Sequence, residues 1–134
     1  MSQVAISQYM TRSPHSIGVT QPLIAAHKLM RKHRVRHLPV LADGRLVGLV
    51  SMRDLHLVET LQDVDAETVP VEEAMTPDPY TVPPEASLRR VARTMAERKI
   101  GSAVVTVKGK VVGVFTAVDA MRALADLLGS RRGE

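Results

Sequence analysis

The sequence repeats itself: a shift of 65 positions, without a gap, places the first half of the chain on the second. A Met-Thr-x-x-Pro segment begins at Met10 and again at Met75, and a Gly-x-x-Val-Gly segment begins at Gly44 and again at Gly109. An aspartate is also matched, Asp54 with Asp119. A supersecondary unit of this size cannot close a hydrophobic core alone. We therefore expect the two copies to pack on each other and to form a cleft on an approximate two-fold axis.

The composition narrows the class of protein. The chain has 134 residues, the length of one domain, and it contains no cysteine, which excludes disulfides, thiolate metal sites and a cysteine nucleophile. Two tyrosines and one phenylalanine are its only aromatic residues, so platforms for stacking single-stranded nucleic acid are scarce. Its sequence has no apolar run long enough for a signal peptide or a membrane span. We expect a soluble cytoplasmic protein.

Each copy predicts the same series of elements: a short helical turn, a brief extended piece, a helix, two strands and a closing helix. The first copy places them at 4–9, 16–19, 22–34, 37–41, 45–50 and 53–61, and the second at 69–74, 80–82, 85–99, 102–107, 110–115 and 118–128. Asp43-Gly44 and Lys108-Gly109 join the paired strands and are typical of hairpin turns. The predicted fold is α/β (α+β), with β-α-β-β-α repeats at 1–62 and 69–129, a polar linker at 63–68 and a tail at 130–134.

Each copy also has a hydroxyl three residues before the matched aspartate, where the last helix is expected to begin: Ser51 before Asp54, and Thr116 before Asp119. One interpretation is helix capping, with the aspartate in the first turn answering the helix dipole. The other is a ligand site, in which the aspartate accepts hydrogen bonds from a ribose diol while the hydroxyl and the backbone amides face a phosphate. The four-residue pattern by itself leaves both open.

The doubled pattern resembles the CBS domain family, arranged as the tandem pair called a Bateman module. The resemblance covers 4–128 and rests on the Met-Thr-x-x-Pro segments and on the motif His37-Leu38-Pro39-Val40-x-x-Asp43-Gly44-x-x-Val47-Gly48-Leu49-Val50-Ser51-x-x-Asp54, whose counterpart ends at Asp119. It implies two repeats packed sheet to sheet with pseudo-two-fold symmetry. It also implies two potential adenosyl-ligand sites in the central cleft, each built from residues of both repeats.

Carried over position by position, the resemblance implies one ligand site that contains Thr11, His15, Arg36, His37, Thr116 and Asp119. It implies another that contains Ser51, Arg53, Asp54, Thr76, Tyr80, Gly101 and Ser102. Arg36 and His37 stand where nucleotide-binding relatives often place basic residues against phosphate, and a guanidinium can hold a phosphate bidentately. Their counterparts, Gly101 and Ser102, carry no charge.

The two sites are therefore expected to differ in ligand preference. We expect the Asp119 site to prefer phosphorylated adenosine ligands, namely AMP, ADP or ATP. The Asp54 site is expected to bind weakly, to take a less anionic adenosyl compound, or to stay empty, with Arg53 partly offsetting the missing cations. NADH and S-adenosylmethionine remain further candidates as ligands, and no obligatory cofactor is expected.

Neither a metal site nor catalysis is expected. His33 and His37 have ligand-like spacing, but the predicted helix ends between them, so their side chains would diverge. His27 and His56 are expected on helix surfaces. A catalytic carboxylate pair, a nucleophile elbow and a Walker-type glycine loop are all missing from the sequence.

The resemblance thus implies a non-enzymatic sensor that binds an adenosyl ligand and signals through a change in packing or oligomer state. It further implies a homodimer, and the output would pass through an unidentified effector enzyme or channel in trans. A ligand-free scaffold for protein interactions is the alternative. Nucleic-acid binding would rest on the net charge of +4 and the basic run 31–37, which is more typical of a solvated helix end. No membrane partner is expected.

Overall fold

The computed structural model of the chain describes residues 3–61 and 63–131. These ranges contain eight β-strands and four α-helices. In chain order they are β1 (Thr11–Arg12), β2 (Ile17–Gly18), α1 (Leu23–His33), β3 (His37–Ala42), β4 (Arg45–Ser51), α2 (Met52–Glu59), β5 (Thr76–Pro77), β6 (Thr81–Val82), α3 (Leu88–Arg98), β7 (Ser102–Val107), β8 (Lys110–Thr116) and α4 (Ala117–Arg131). Residues 132–134 of the predicted tail, and residues 1, 2 and 62 of the first predicted repeat, lie outside the described residues.

The strands form two four-stranded sheets, with the order β2-β3-β4-β5 in one and β1-β8-β7-β6 in the other. In each sheet a helix connects two parallel strands: α1 joins β2 to β3, and α3 joins β6 to β7. The hairpins β3–β4 and β7–β8 are antiparallel. The predicted mixed α/β class is confirmed.

The chain divides into two compact units. The first unit is Pro14–Pro79, and the second unit combines the residues up to Ser13 with those from Tyr80 onward. These boundaries differ from those of the sequence repeats, because the Met-Thr segment of each copy pairs with the last strand of the other copy. Thus β5 pairs with β4 in the first unit, and β1 pairs with β8 in the second. The two edge strands are an addition to the predicted element order, since two residues are too few to show a strand pattern.

Equivalent turns of the two copies have the same backbone conformation. In the β3–β4 hairpin Asp43 and Gly44 have φ of 51° and 79°, and in the β7–β8 hairpin Lys108 and Gly109 have 52° and 81°. Two successive positive φ values are what a type I′ hairpin turn requires. The hairpins predicted from Asp-Gly and Lys-Gly are therefore confirmed.

Helix boundaries depart from the predictions where a cap or a further turn decides them. The second copy of the long helix begins at Leu88 rather than at 85, because the Ser87 hydroxyl caps it by accepting a hydrogen bond from the Arg90 amide at 3.2 Å. The closing helix α4 continues past Leu128 to Arg131. Within the described residues, no helix is both long and apolar enough to cross a bilayer.

Each unit has a hydrophobic core of its own between its sheet and its helices. The core of the first unit is aliphatic and is centred on buried side chains of α1, β3 and α2, including Leu23, Met30, Leu38, Val40 and Leu55. The core of the second unit adds Phe115 of β8, which is fully buried. The last residues of β4 and β8, and the helices that follow them, are thereby fixed in position.

Candidate functional site

The start of α2 carries a complete capping box. The Ser51 hydroxyl accepts a hydrogen bond from the Asp54 amide at 3.0 Å, and Asp54 Oδ2 accepts one from the Ser51 amide at 2.9 Å. Ser51 ends β4 in extended conformation, so its hydroxyl stands in the N-cap position before Met52. The capping interpretation of this motif is thus confirmed, and Asp54 is half-buried.

The start of α4 repeats this geometry around a more buried carboxylate. The Thr116 amide donates to Asp119 Oδ2 at 3.0 Å, and the Asp119 amide donates to the Thr116 hydroxyl at 3.3 Å. The same hydroxyl also donates to Oδ2 at 3.2 Å. The Asp119 side chain is only 4% exposed. A carboxylate buried to this extent requires hydrogen-bond partners, because a bare buried charge is costly.

Two further groups of the second unit contact the Asp119 carboxylate. The Thr11 hydroxyl, on edge strand β1, lies 3.4 Å from both Oδ1 and Oδ2, and Arg122 donates from Nη1 to Oδ1 at 3.1 Å. Arg122 was missed by the sequence reasoning, although its i, i+3 spacing from Asp119 is a signal for a helical ion pair.

In the part of the chain that the structure describes, the corresponding residues of the first unit make no such contacts with Asp54. Leu57 stands at the position equivalent to Arg122, and Thr76 at the position equivalent to Thr11. Among the described residues, Asp54 has hydrogen bonds with Ser51 alone. The two motifs are equivalent in sequence but have different hydrogen-bond environments.

The structure brings together some residues of each predicted site. Of the Asp119 set, Thr11 and Thr116 contact Asp119 in the second unit, whereas His15, Arg36 and His37 belong to the first unit. Of the Asp54 set, the first unit contains Ser51, Arg53, Asp54 and Thr76, and the second contains Tyr80, Gly101 and Ser102. Within the first unit Leu49 of β4 pairs with Thr76, and exposed Arg53 lies in the first turn of α2.

Backbone pairing places Arg36-His37 of the first unit and Gly101-Ser102 of the second at equivalent positions beside the hydroxyl residue of each motif. His37 pairs with Ser51 in the β3–β4 hairpin, and the Arg36 carbonyl accepts a hydrogen bond from the Met52 amide at 2.9 Å. In the second unit Ser102 pairs with Thr116, and its side chain is buried. The guanidinium carbon of Arg98 lies over the Tyr80 ring, 5.2 Å from the ring centroid, which is a cation–π distance.

Two histidines of the first unit stack on each other. The rings of His15 and His33 are 3.4 Å apart at their centroids and inclined by 14°. Burial lowers the pKa of His33, and the charges of His15 and Lys32 lower it further. The helix α1 ends at His33, one residue before the predicted end at 34, and His37 begins β3.

His27 is less exposed than expected, because its Nε2 lies 2.6 Å from Glu59 Oε2 and links α1 to α2. His56 is on the surface of α2, and its ring centroid is 6.2 Å from that of His27. No group of three or more His, Cys, Asp or Glu side chains in the described part of the chain is placed to hold a metal ion.

Comparison with known proteins agrees with this architecture. The CBS domain model matches the chain twice, at 6–58 and 71–126. The crystal structure of AcuB from Vibrio cholerae is 31% identical, with a TM-score of 0.86, over 99% of this chain and 98% of that one. The crystal structure of CBSX2 in complex with AMP is 27% identical, with a TM-score of 0.77, over 92% of this chain and 97% of that one.

A longer relative matches only in part. Inosine-5'-monophosphate dehydrogenase from Korarchaeum cryptofilum is 37% identical over 112 residues, which are 83% of this chain but 22% of the dehydrogenase. The chain thus spans about a fifth of that enzyme. Each match to the CBS model includes one of the capped aspartates, Asp54 in the first match and Asp119 in the second. The chain belongs to the CBS domain family, of which it contains two copies.

Proposed function

We propose that this protein is a non-enzymatic regulatory module that binds an adenine nucleotide of the AMP, ADP or ATP class through the Asp119 element. The observation that carries the proposal is the buried Asp119 carboxylate at the start of α4, surrounded by the Thr11 and Thr116 hydroxyls. A carboxylate accepts hydrogen bonds from a ribose diol, and the first amides of a helix attract a phosphate. The likeness to CBSX2, whose crystal structure contains AMP, supports this ligand class.

The remaining ligand contacts are those predicted from the sequence. Arg36 and His37 are the basic residues expected against the phosphate of a ligand held by Asp119, and His15 is a further residue of the same site. Ser51, Arg53, Asp54 and Thr76, with Tyr80, Gly101 and Ser102, form the second site, which is less suited to phosphate. NADH and S-adenosylmethionine share the adenosine group and are the alternative ligands to be compared.

We also propose that the module is a homodimer that signals to a separate effector enzyme or channel. The α4 helix supports this proposal, because Val118, Met121, Leu124 and Leu128 are exposed along it at helical spacing. Beside them α3 and α4 border an apolar cavity of about 490 Å³. A ligand shifts the packing of such an assembly only by its difference in affinity for the two states.

A thermal-shift panel of AMP, ADP, ATP, NADH and S-adenosylmethionine tests the ligand class. A ligand present at 100 times its dissociation constant adds about 2.7 kcal/mol to the free energy of unfolding, so one strong hit is expected among the phosphorylated compounds. The Asp119→Asn variant should lose this shift, whereas Glu97→Ala, which removes an exposed acid on α3, should retain it. If no compound raises the melting temperature, the scaffold alternative is favoured.

A further inference from the structure

Donors of the protein itself surround the Asp119 carboxylate. A carboxylate offers about four acceptor positions. Four donors surround Asp119: the Thr116 amide and hydroxyl, the Thr11 hydroxyl, and Nη1 of Arg122, which lies at 3.1 Å. The Thr11 hydroxyl is 3.4 Å from both oxygens and holds neither of them closely. The departure of one further donor therefore frees the two acceptor positions that a ribose diol needs.

Arg122 is the donor that can leave at least cost. The Thr116 groups are part of the cap of α4, and Thr11 is held by the pairing of β1 with Val114. By contrast the Arg122 side chain is 67% exposed, so water can solvate its charge once it has left Asp119. Arg122 is thus the exposed member of the pair, although the buried Asp119 makes the interaction stronger than that of a pair exposed on both sides.

The first unit lacks this arrangement. Leu57 replaces the arginine at the equivalent position of α2, and Asp54 keeps Oδ1 without a hydrogen-bond donor among the described residues. The capping geometry is otherwise the same, with the Ser51 amide on Oδ2 at 2.9 Å. Arg122 therefore distinguishes the two aspartates without being needed for the cap.

We infer that Arg122 masks the Asp119 carboxylate in the ligand-free protein and competes with the ribose hydroxyls of a ligand for Oδ1. This inference rests on the proposed function and adds a specificity-determining residue to the same site. The ligand binds only to the fraction of molecules in which Arg122 has moved away, so its apparent affinity is reduced by that fraction. Because Arg122 itself is exposed, we expect this reduction to be about two- to fivefold.

Adenosine is the probe that separates masking from phosphate recognition, because it carries the ribose diol without a phosphate. Calorimetric titration with adenosine and with AMP would compare Arg122→Leu with the unsubstituted chain, both in an Asp54→Asn background so that one site is titrated. Masking predicts that Arg122→Leu binds adenosine about two- to fivefold more tightly. Adding Leu57→Arg restores the net charge and should leave the gain in place.

Two further readouts distinguish masking from a merely structural role of Arg122. Arg122→Lys keeps the cation and should keep most of the masking, so its adenosine affinity should stay near that of the unsubstituted chain. Salt screens an exposed ion pair but has little effect on uncharged adenosine. Raising the KCl concentration should therefore bring the affinity of the unsubstituted chain towards that of Arg122→Leu.

The outcomes separate this inference from the proposed function. If Asp119→Asn abolishes adenosine binding but Arg122→Leu leaves it unchanged or weaker, the masking inference is overturned and the proposed function stands. If Arg122→Leu weakens AMP binding and leaves adenosine binding unchanged, Arg122 is a phosphate contact and masking is again overturned. If neither compound binds to any variant, Arg122→Leu included, both proposals are overturned.

Discussion

The sulfur of Met75 lies so close to Gly48 that a Cβ atom there would clash with it, and would come within 3.0 Å of the Thr76 carbonyl oxygen. In the second unit a Cβ atom at Gly113 would likewise come within 2.6 Å of the Met10 sulfur. The repeated Met-Thr and Gly-x-x-Val-Gly motifs are thus the two sides of one contact. This contact holds the edge strands β1 and β5 against β8 and β4.

We predict that Gly113→Ala lowers the free energy of unfolding by about 1–3 kcal/mol, because the new methyl group displaces Met10 and the Thr11 backbone. Urea denaturation measures this change. Gly129→Ala is the matched control: it lies within α4 with no atom near its Cβ position, so alanine should be neutral or stabilising by up to about 1 kcal/mol. Equal stability of the two variants would show that the close approach is unimportant.

Tyr9 provides a test at alkaline pH. Its hydroxyl donates a hydrogen bond to the Asp126 carboxylate of α4, and this bond raises the pKa of Tyr9 above its ordinary value of 10.0. Because the folded chain holds the phenol proton more tightly, this stability is present below about pH 10 and is lost as pH rises through the folded pKa. Absorbance titration of Tyr80→Phe, which leaves Tyr9 as the sole tyrosine, should find the raised value.

The same experiment has a clear negative outcome. If Asp126→Asn leaves the absorbance midpoint of Tyr9 where it was, the hydrogen bond does not control the phenol. In denaturation series, Tyr9→Phe should show a shallower loss of stability above pH 10 than the unsubstituted chain. If stability falls equally with pH in Tyr9→Phe and in the unsubstituted chain, the control of Tyr9 by this hydrogen bond is likewise rejected.

His33 provides the complementary test at acidic pH. Burial lowers its pKa below the ordinary 6.5, so the unfolded chain binds the proton more tightly than the folded one. The resulting stability is complete above about pH 6.5 and is lost as pH falls through the lowered folded pKa. We expect His33→Gln to flatten the acid side of the stability curve, measured by urea denaturation between about pH 7 and 5.

NMR titration of the histidine ring protons checks this directly. His33 should titrate below the ordinary range, and His15→Ala should move its midpoint upward, because the stacked ring and its charge are removed. A midpoint at or above 6.5 for His33 in the unsubstituted chain would contradict the assignment.

The sequence repeat predicts much of the fold, because apolar periodicity and turn residues act locally. The type I′ hairpins follow from Asp43-Gly44 and Lys108-Gly109, and the end of α1 at His33 lies one residue before the predicted position. The start of α3 was placed three residues early, since any of several polar residues can precede a helix and only the Ser87 contact decides among them.

The edge strands and the carboxylate environment depend on contacts between residues far apart in the chain. Pairing of Thr11 with Val114 joins residues that no local pattern connects. The same contact brings the Thr11 hydroxyl to Asp119, while Arg122 reaches it from one helical turn away. The matched aspartates therefore looked alike in sequence, although one carries two donors that the other lacks.

The most direct test of the account is a calorimetric titration of AMP into the unsubstituted chain, Asp119→Asn and Asp54→Asn. Loss of a hydrogen-bonded carboxylate charge removes about 1.5–3 kcal/mol, which is a decrease in affinity of roughly 10- to 100-fold. We predict this loss for Asp119→Asn and a clearly smaller one for Asp54→Asn, with both variants folded by circular dichroism. Equal losses in the two variants, or unchanged AMP affinity in Asp119→Asn, would contradict the assignment of nucleotide binding to the Asp119 element.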